Sequence, residues 1–396
     1  MSRRRVRRVL FLTPLPLDRP ASGGTIKSAA VLAHLERDRE VDVACLSPHG
    51  SAWTRDGGTT IAVPLSQPRS ATRLVASYAR RLPVSVERNR SPELAMRVDT
   101  LVERERYDAL FVDGWLMAQY VPRRFDGIRL LHEHNVEHEM WLRHARLERS
   151  AARRAIVRLE AARVRAYERS LVGRFDVVFA VSAPERSALV ALGADAARVR
   201  VLPNVADPAL LERPPLEPIA DATVLFLGTL SWPPNAAGIE RYLRIAHPAL
   251  RARVPDARLI VAGRGASDAL ASLVRGTPGG ELESDVDDDE ALYRRARCFV
   301  DPSLGGAGTR VKILNAMARG LPVVASTDAA AGLDARDGVE LLTAADPAAT
   351  AAAVERVLGD DDAWRALSES GRQLVAERYT PPRAFAALDE ALGDAD

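Results

Sequence analysis

Two lysines, Lys27 and Lys312, stand among 55 lysines and arginines. A compact ammonium differs from a planar guanidinium where a ligand is met as a point charge, so a retained lysine in an arginine-using chain marks a candidate site. Lys312 lies in GTRVKILNAMARG, residues 308–320, behind a glycine-rich loop at Gly305, Gly306 and Gly308. A helix is expected from about Thr309 or Arg310. Free backbone N–H groups at such a helix start, with Arg310 and Lys312 beside them, could cradle a diphosphate. The competing reading is a surface helix whose cations are merely solvated. Lys27 follows a glycine pair, Gly23 and Gly24, which would let backbone approach a ligand at a second helix start. That pattern also describes an ordinary turn, and it has neither the G-x-G-x-x-G nor the G-x-x-x-x-G-K-[ST] form.

Four of the seven histidines fall in LLHEHNVEHEMWLRH, residues 130–144. His134 to His138 matches H-x-x-E-H, whose zinc chemistry needs both histidines on one helix face. His134 comes directly off an apolar strand, so the helix is expected to begin at or after Asn135. That spoils the geometry, and no metal is expected. His134 would then face a ligand from a strand end, with Glu137 holding the turn or orienting it. Asn135 and the strand-terminal Asp113 join it as candidate contacts. The bland alternative for this segment is a capping and packing cluster.

These residues must be positioned by strands and helices in alternation. Apolar runs at 8–13, 41–47, 108–113, 128–133, 176–182 and 199–204 read as strands with helical periods between them. A proline-rich stretch at 206–220 reads as a linker. The pattern then restarts at 223–228, 257–263, 296–301 and 321–327. The fold class is therefore α/β with two Rossmann-like domains, 1–205 and 221–379. Ligands are expected beyond the carboxyl ends of the strands, in a cleft between the domains.

Composition excludes several classes. A chain of 396 residues with 47% hydrophobic and 27% charged residues is a globular, enzyme-like protein. A net charge of +2 does not supply the basic face that nucleic acid requires, so no nucleic-acid partner is expected. Cys45 and Cys298 are too few for a disulfide framework or a cysteine zinc site, which points to a reducing cytoplasm. The start MSRRRVRRVLFLTPLPLD imitates a signal peptide, but Pro14 and Pro16 break its apolar run and it reads as a first buried strand. No window reaches the roughly 18 to 20 apolar residues that span a bilayer. Residues 143–174 hold ten arginines against three glutamates. They form either a solvated face or a basic helix that meets anionic membrane at its inner face.

Taken together, SGGTIKSAAVLAHL, EHNVEH, VRVLPNVAD, VLFLGTLSWPPN, ARLIVAGRG and GAGTRVKILNAMARGLPVVAS resemble a family 4 glycosyltransferase, the retaining group-1 class of GT-B fold. "HNVE" is similar to one bacterial branch of it. The resemblance implies an acceptor-side first domain, a nucleotide-sugar-binding second domain, and a terminal helix, 380–396, that crosses back to the first. It implies transfer of a hexose from a nucleotide-diphosphate sugar to a hydroxyl acceptor (a bacterial glycan, glycolipid or natural product), with the nucleotide sugar as co-substrate and no metal or other cofactor. His134 corresponds to the histidine near the transferred sugar, and Gly24 sits in the loop facing the donor phosphates. Asn204 lies in a P-N-x-x-D stretch, Gly228, Thr229 and Asn235 in the second domain's first glycine loop, and Arg264 in a turn near the base. Arg310 and Lys312 would stabilise the leaving diphosphate. Two departures are visible. Ala307 and Asn315 replace the glutamates of an E-x7-E pattern, and GTLSWPPN lacks the usual Arg and Lys. They leave open a catalytically degenerate nucleotide-sugar-binding protein. A zinc hydrolase using 132–138 is the remaining rival.

Overall fold

A computed structural model describes the chain except residues 1–5, 19–22, 48–52, 54, 56–57, 66–69, 149, 285, 287–288, 306–309 and 394–396. It divides into two compact units: Met1–Pro203 with Phe385–Asp396, and Asn204–Ala384.

In the first unit, strands β1 (Arg8–Thr13), β2 (Glu40–Ser47), β3 (Thr60–Pro64), β4 (Ala109–Asp113), β5 (Ile128–Glu133), β6 (Val177–Ala180) and β7 (Val199–Val201) form one sheet. Its order is β3-β2-β1-β4-β5-β6-β7 and every pair is parallel. The central strands are covered on both faces, which is why they read as unbroken apolar runs. Val9, Leu10, Phe11 and Leu12 are fully buried, and Phe11 stacks on Phe111 with centroids 5.0 Å apart. The second unit repeats the scheme with β8 (Thr223–Leu227), β9 (Arg258–Ala262), β10 (Gly280–Glu283), β11 (Cys298–Asp301), β12 (Val323–Ser326) and β13 (Leu342–Ala344). The order is β10-β9-β8-β11-β12-β13, again all parallel. In both sheets the strand order reverses once, between β1 and β4 and between β8 and β11. Such a reversal opens a crevice at the strands' carboxyl ends.

The strands absent from the sequence reading, β3, β10 and β13, are short and lie at sheet edges. An edge strand packs on fewer sides and needs no continuous apolar run, so β10 reads GELE. The stretch expected as a linker is pinned to the second unit. It carries a short helix, Pro208–Glu212, with Leu210 buried, and Arg319 donates to the Pro214 carbonyl at 2.7 Å. Cys45 and Cys298 are buried free thiols.

The last helix, Ala386–Leu392, belongs to the first unit, as the resemblance implies. His34 Nε2 meets Asp389 at 2.9 Å and Arg200 meets Glu390 at 3.2 Å. Lys27 completes this anchorage. It is 1% exposed, its Nζ donates to the carbonyls of Leu202 (3.0 Å) and Pro203, and it lies 4.6 Å from the Phe385 ring centroid. Burial drives its pKa well below the ordinary lysine value, against the attraction of Asp113. Lys27, expected to contact a ligand, is turned inward and ties β7 to the terminal segment.

Among the described residues, no helix is long and apolar enough to cross a membrane.

Gly263 is among the glycines forced by backbone approach. Gly263 has φ +136°, and a Cβ there would lie 1.9 Å from the Gly228 carbonyl oxygen. Gly263→Ala should therefore lower stability by about 2 kcal/mol or more, read as a reduced urea midpoint. Gly23→Ala, where a Cβ meets nothing within 4 Å, should change it little.

Candidate active site

Each strand-order reversal carries a buried carboxylate at the end of its inner strand. In the second unit this is Asp301, at the end of β11 and fully buried. Lys312, in the first turn of the helix Val311–Arg319, meets it at 2.8 Å. The same ammonium donates to Asn235 Oδ1 and Ser303 Oγ, both at 3.1 Å, and sits 4.4 Å from the Phe226 ring centroid. An ammonium has three N–H bonds, and all three are met. Burial lowers the Lys312 pKa and Asp301 opposes it, leaving a net lowering. Burial would raise Asp301, but the charges of Lys312 and Arg310 prevail and hold it down. Lys312 was expected as a free cation beside a phosphate. It is instead the counter-ion of Asp301, with 13% of its side chain exposed.

The neighbouring loop is built around this pair. Asn235 is buried, donates to the Thr229 carbonyl at 2.9 Å and accepts from Ser303 at 2.9 Å. A Cβ on Gly228 would meet Asn235 Nδ2 at 3.3 Å and Lys312 Cδ at 3.5 Å. Gly228, Asn235 and Lys312 are thus one contact group, and Thr229 is exposed beside it. Arg310 precedes the helix, donates to the Gly305 carbonyl at 2.7 Å, and keeps a buried Nε with no partner among the described residues. Gly306, Gly308 and Thr309, with Ala307, lie outside the described residues. Arg264 is exposed, and its carbonyl accepts from Leu230 N at 2.7 Å. Asn315, expected to face a ribose, is tied to backbone: its Oδ1 accepts from Asp207 N at 3.0 Å. Asn204 is half-buried at the start of this unit.

In the first unit the carboxylate is Asp113, at the end of β4 and 1% exposed. Its Oδ1 meets His132 Nδ1 at 3.0 Å and His134 Nε2 at 2.8 Å, and its Oδ2 accepts from Thr13 at 3.2 Å. Burial alone would raise the Asp113 carboxyl. The charge of His134 and the two histidine hydrogen bonds outweigh it and hold Asp113 well below the carboxylate range. His132 is fully buried, and burial with the nearby His134 brings its pKa to about 3. It stays neutral and orients Asp113. His134 is partly exposed, and its Nδ1 has no partner among the described residues. Asp113 was expected to contact substrate; it is buried and acts through His134. Gly23 and Gly24 are exposed at the start of the helix Gly23–Leu35.

The helix after β5 begins at Glu137, so His134 precedes it and H-x-x-E-H cannot form its one-face zinc pair. Glu168 accepts from the backbone of Glu137 (2.7 Å) and His138 (3.0 Å) and from His138 Nδ1 (2.8 Å). His138 is therefore part of a helix cap. Among the described residues, Asp113, His132 and His134 are the one set whose ligand atoms come within 4.8 Å of each other. A metal at His132 Nδ1 would put the ring proton on Nε2, which is buried without a partner. Metal-bound histidines ordinarily donate that proton to an acceptor, so the hydrogen-bonded triad fits these residues better.

Acidic groups surround this corner. Burial, with the charges of Glu168 and Glu137, raises the Glu133 carboxyl far above its usual range. Burial brings Glu137 and Glu185 each to about 7, with Glu168 adding to the shift at Glu137. Asp301, Ser303, Glu168 and Glu185 were missed in the sequence, and His132 and Glu133 entered it only within the rival zinc cluster at 132–138. The D-P-S run at the end of a strand was a usable signal for the first two; the others needed the packing of separate helices.

Both units match glycosyltransferase family models. Residues 221–360 match the group described as glycosyl transferases group 1, and 23–205 match the glycosyl transferase 4-like domain. Phosphatidyl-myo-inositol mannosyltransferase of Mycolicibacterium smegmatis is 34% identical over 41% of this chain and 42% of its own length. The protein of the same name from Mycobacterium leprae is 31% identical over 54% and 57%. An uncharacterized 44.6 kDa protein of the Klebsiella pneumoniae cps region is 27% identical over 42% and 45%. The chain spans about half the length of the curated relatives it matches. Among solved structures, Anabaena HepE in complex with UDP and glucose superposes with TM-score 0.68 at 16% identity, covering 98% of this chain and 100% of that one. Sucrose-phosphate synthase from Thermosynechococcus elongatus gives 0.68 at 19% identity, covering 97% and 98%. The fold is GT-B, with two parallel-sheet α/β units.

Two outcomes are expected. Lys312→Ala leaves Asp301 buried without its cation and should lower unfolding free energy by about 3 kcal/mol, measured by urea denaturation. Glu185 holds a proton in the folded state up to about 7 that the unfolded chain releases near 4.5. Folding stability therefore falls as pH rises through that window. Glu185→Gln should be more stable than wild type by on the order of 1–3 kcal/mol at pH 8. The difference should vanish below about pH 4.5, as read from paired melts across pH.

Proposed function

We propose that this protein is a retaining hexosyltransferase that moves a sugar from a nucleotide-diphosphate sugar to a hydroxyl acceptor without a metal ion. The observation that carries the reading is the group at the β8–β11 reversal. There a glycine turn, Asn235 and the Arg310 guanidinium, whose Nε has no partner among the described residues, stand at a helix start within a segment similar to glycosyl transferases group 1. The UDP bound to HepE and the mannosyl transfer named for the mycobacterial relatives support a nucleotide sugar as donor. Two buried thiols and such a donor fit a cytoplasmic enzyme.

In this scheme the bond from the anomeric carbon to the diphosphate oxygen breaks, and its electron pair leaves with the phosphate. The acceptor oxygen bonds to the same face of the sugar, and its proton passes to the departing phosphate. Backbone N–H groups at the start of the helix Val311–Arg319 and the Arg310 guanidinium meet the growing negative charge. Lys312 acts at one remove: paired with Asp301, it fixes Asn235 and the Gly228 turn. The resemblance assigns His134 a place near the transferred sugar, and Asp113 fixes its ring through Nε2.

Screening UDP, GDP, ADP and dTDP and their sugars by thermal shift should yield one family of ligands that raises the melting temperature. With that donor, Arg310→Ala should reduce turnover on the order of 10²–10³. NMR of the product should show the donor's anomeric configuration, and EDTA should not slow transfer. Donor binding without transfer or hydrolysis would instead identify a nucleotide-sugar-binding protein that has lost catalysis.

A further inference from the structure

The basic stretch at 143–174 is not one face. It forms two helices, Glu137–Leu147 and Ala151–Leu171, and part of its charge is internal. Arg143 pairs with Glu139 at 3.1 Å and Arg163 with Glu160 at 2.8 Å. Arg163 also donates to the Ser77 carbonyl at 2.9 Å and lies 4.1 Å from the Tyr78 ring centroid. That contact sets the helix Ala71–Ala79 beside Ala151–Leu171.

The solvent-facing arc of Ala151–Leu171 is graded. Arg158, Arg165 and Arg169 share one edge by helical spacing, and none makes an ion pair among the described residues. Exposed Ala155, Ala162 and Ala166 occupy the middle. Ile156 (64% exposed) and Leu159 (51%) form the other edge, one turn from Arg163. Beyond Arg163 the neighbouring helix exposes Leu74, Val75 (68%) and Tyr78. Single exposed apolar residues are ordinary, but five on two touching helices, flanked by unpaired arginines, are not.

We propose that this face of the first unit docks on an anionic phospholipid bilayer. Ile156, Leu159, Val75, Leu74 and Tyr78 would enter the interface, and Arg158, Arg165 and Arg169 would meet the headgroups. The arrangement suits a helix lying in the membrane plane: a small-residue centre permits close approach, and the apolar and basic edges supply hydrophobic and electrostatic attraction together. A protein partner would need acidic complementarity, but nothing in the graded arc requires a shaped surface. The proposal does not depend on the sugar-transfer reading.

Flotation of the full chain with phosphatidylglycerol–phosphatidylcholine vesicles, against phosphatidylcholine alone, tests it. Binding is expected only to the anionic vesicles and should weaken as salt rises. Ile156→Glu/Leu159→Glu, Arg158→Glu/Arg165→Glu and Val75→Glu should each reduce it, the arginine pair by roughly tenfold or more. All five positions are exposed, so melting temperatures should stay near wild type, and Val75→Glu on the second helix stands as an independent check. Equal binding to neutral vesicles, no binding by wild type, or undiminished binding by the variants would overturn the proposal. So would a concentration-dependent dimer abolished by Ile156→Glu/Leu159→Glu in a protein that ignores vesicles, because the face would then belong to a second copy of the chain.

Discussion

A carboxylate buried at the end of a parallel strand is costly unless positive charge or N–H donors meet it, and both sheets of this protein are organised around meeting that demand. Asp301 terminates β11 and takes Lys312. Asp113 terminates β4 and takes two histidines. In each case the strand order reverses at that point. Lys312 comes from the helix that follows β11 itself, whereas His132 lies at the end of the neighbouring strand β5 and His134 follows it. The carboxylates thereby fix loops that hold Arg310 and His134 in their respective units.

The same logic gives the two lysines different meanings. Both are buried, and both are depressed below the ordinary lysine pKa by that burial. Lys27 is balanced by backbone carbonyls and an aromatic face, a set that only a small cation with free rotation of its donors can satisfy at once. Lys312 distributes its three donors among Asp301, Asn235 and Ser303. A guanidinium would place its nitrogens in one plane and would not reach three acceptors arranged around a point. Lysine persists in this arginine-rich chain because of internal geometry.

The first unit adds an acid-rich corner beside His134, in which Glu133, Glu137 and Glu185 keep protons into the neutral range or beyond it. Glu168 is the member with a structural assignment, closing the start of the helix Glu137–Leu147. The protonated neighbours limit the negative charge that accumulates near the imidazole. This allows several carboxyls to share a small buried volume.

Sequence alone determined the alternation of strands and helices, the parallel sheets and the strand ends that matter. Buried central strands such as RVLFLT must be continuously apolar, and the loops after them carry the glycines and charges. It also set His134 off the helix, whereas the contact of Gly228 and Asn235 with Lys312 is seen in the fold. The edge strands β3, β10 and β13 were illegible because they are only three to five residues long, and β10 is also partly exposed and reads GELE. Only tertiary structure decided which charges are spent. Lys27 meets carbonyls about 175 residues away along the chain, and Asp113 meets His132 across a parallel register. Glu168 reaches another helix's first turn, and Asn315 turns to the Asp207 backbone. A side chain's availability to a ligand depends on what packs against it from distant segments. That information lies in the folded contacts and not in local spacing.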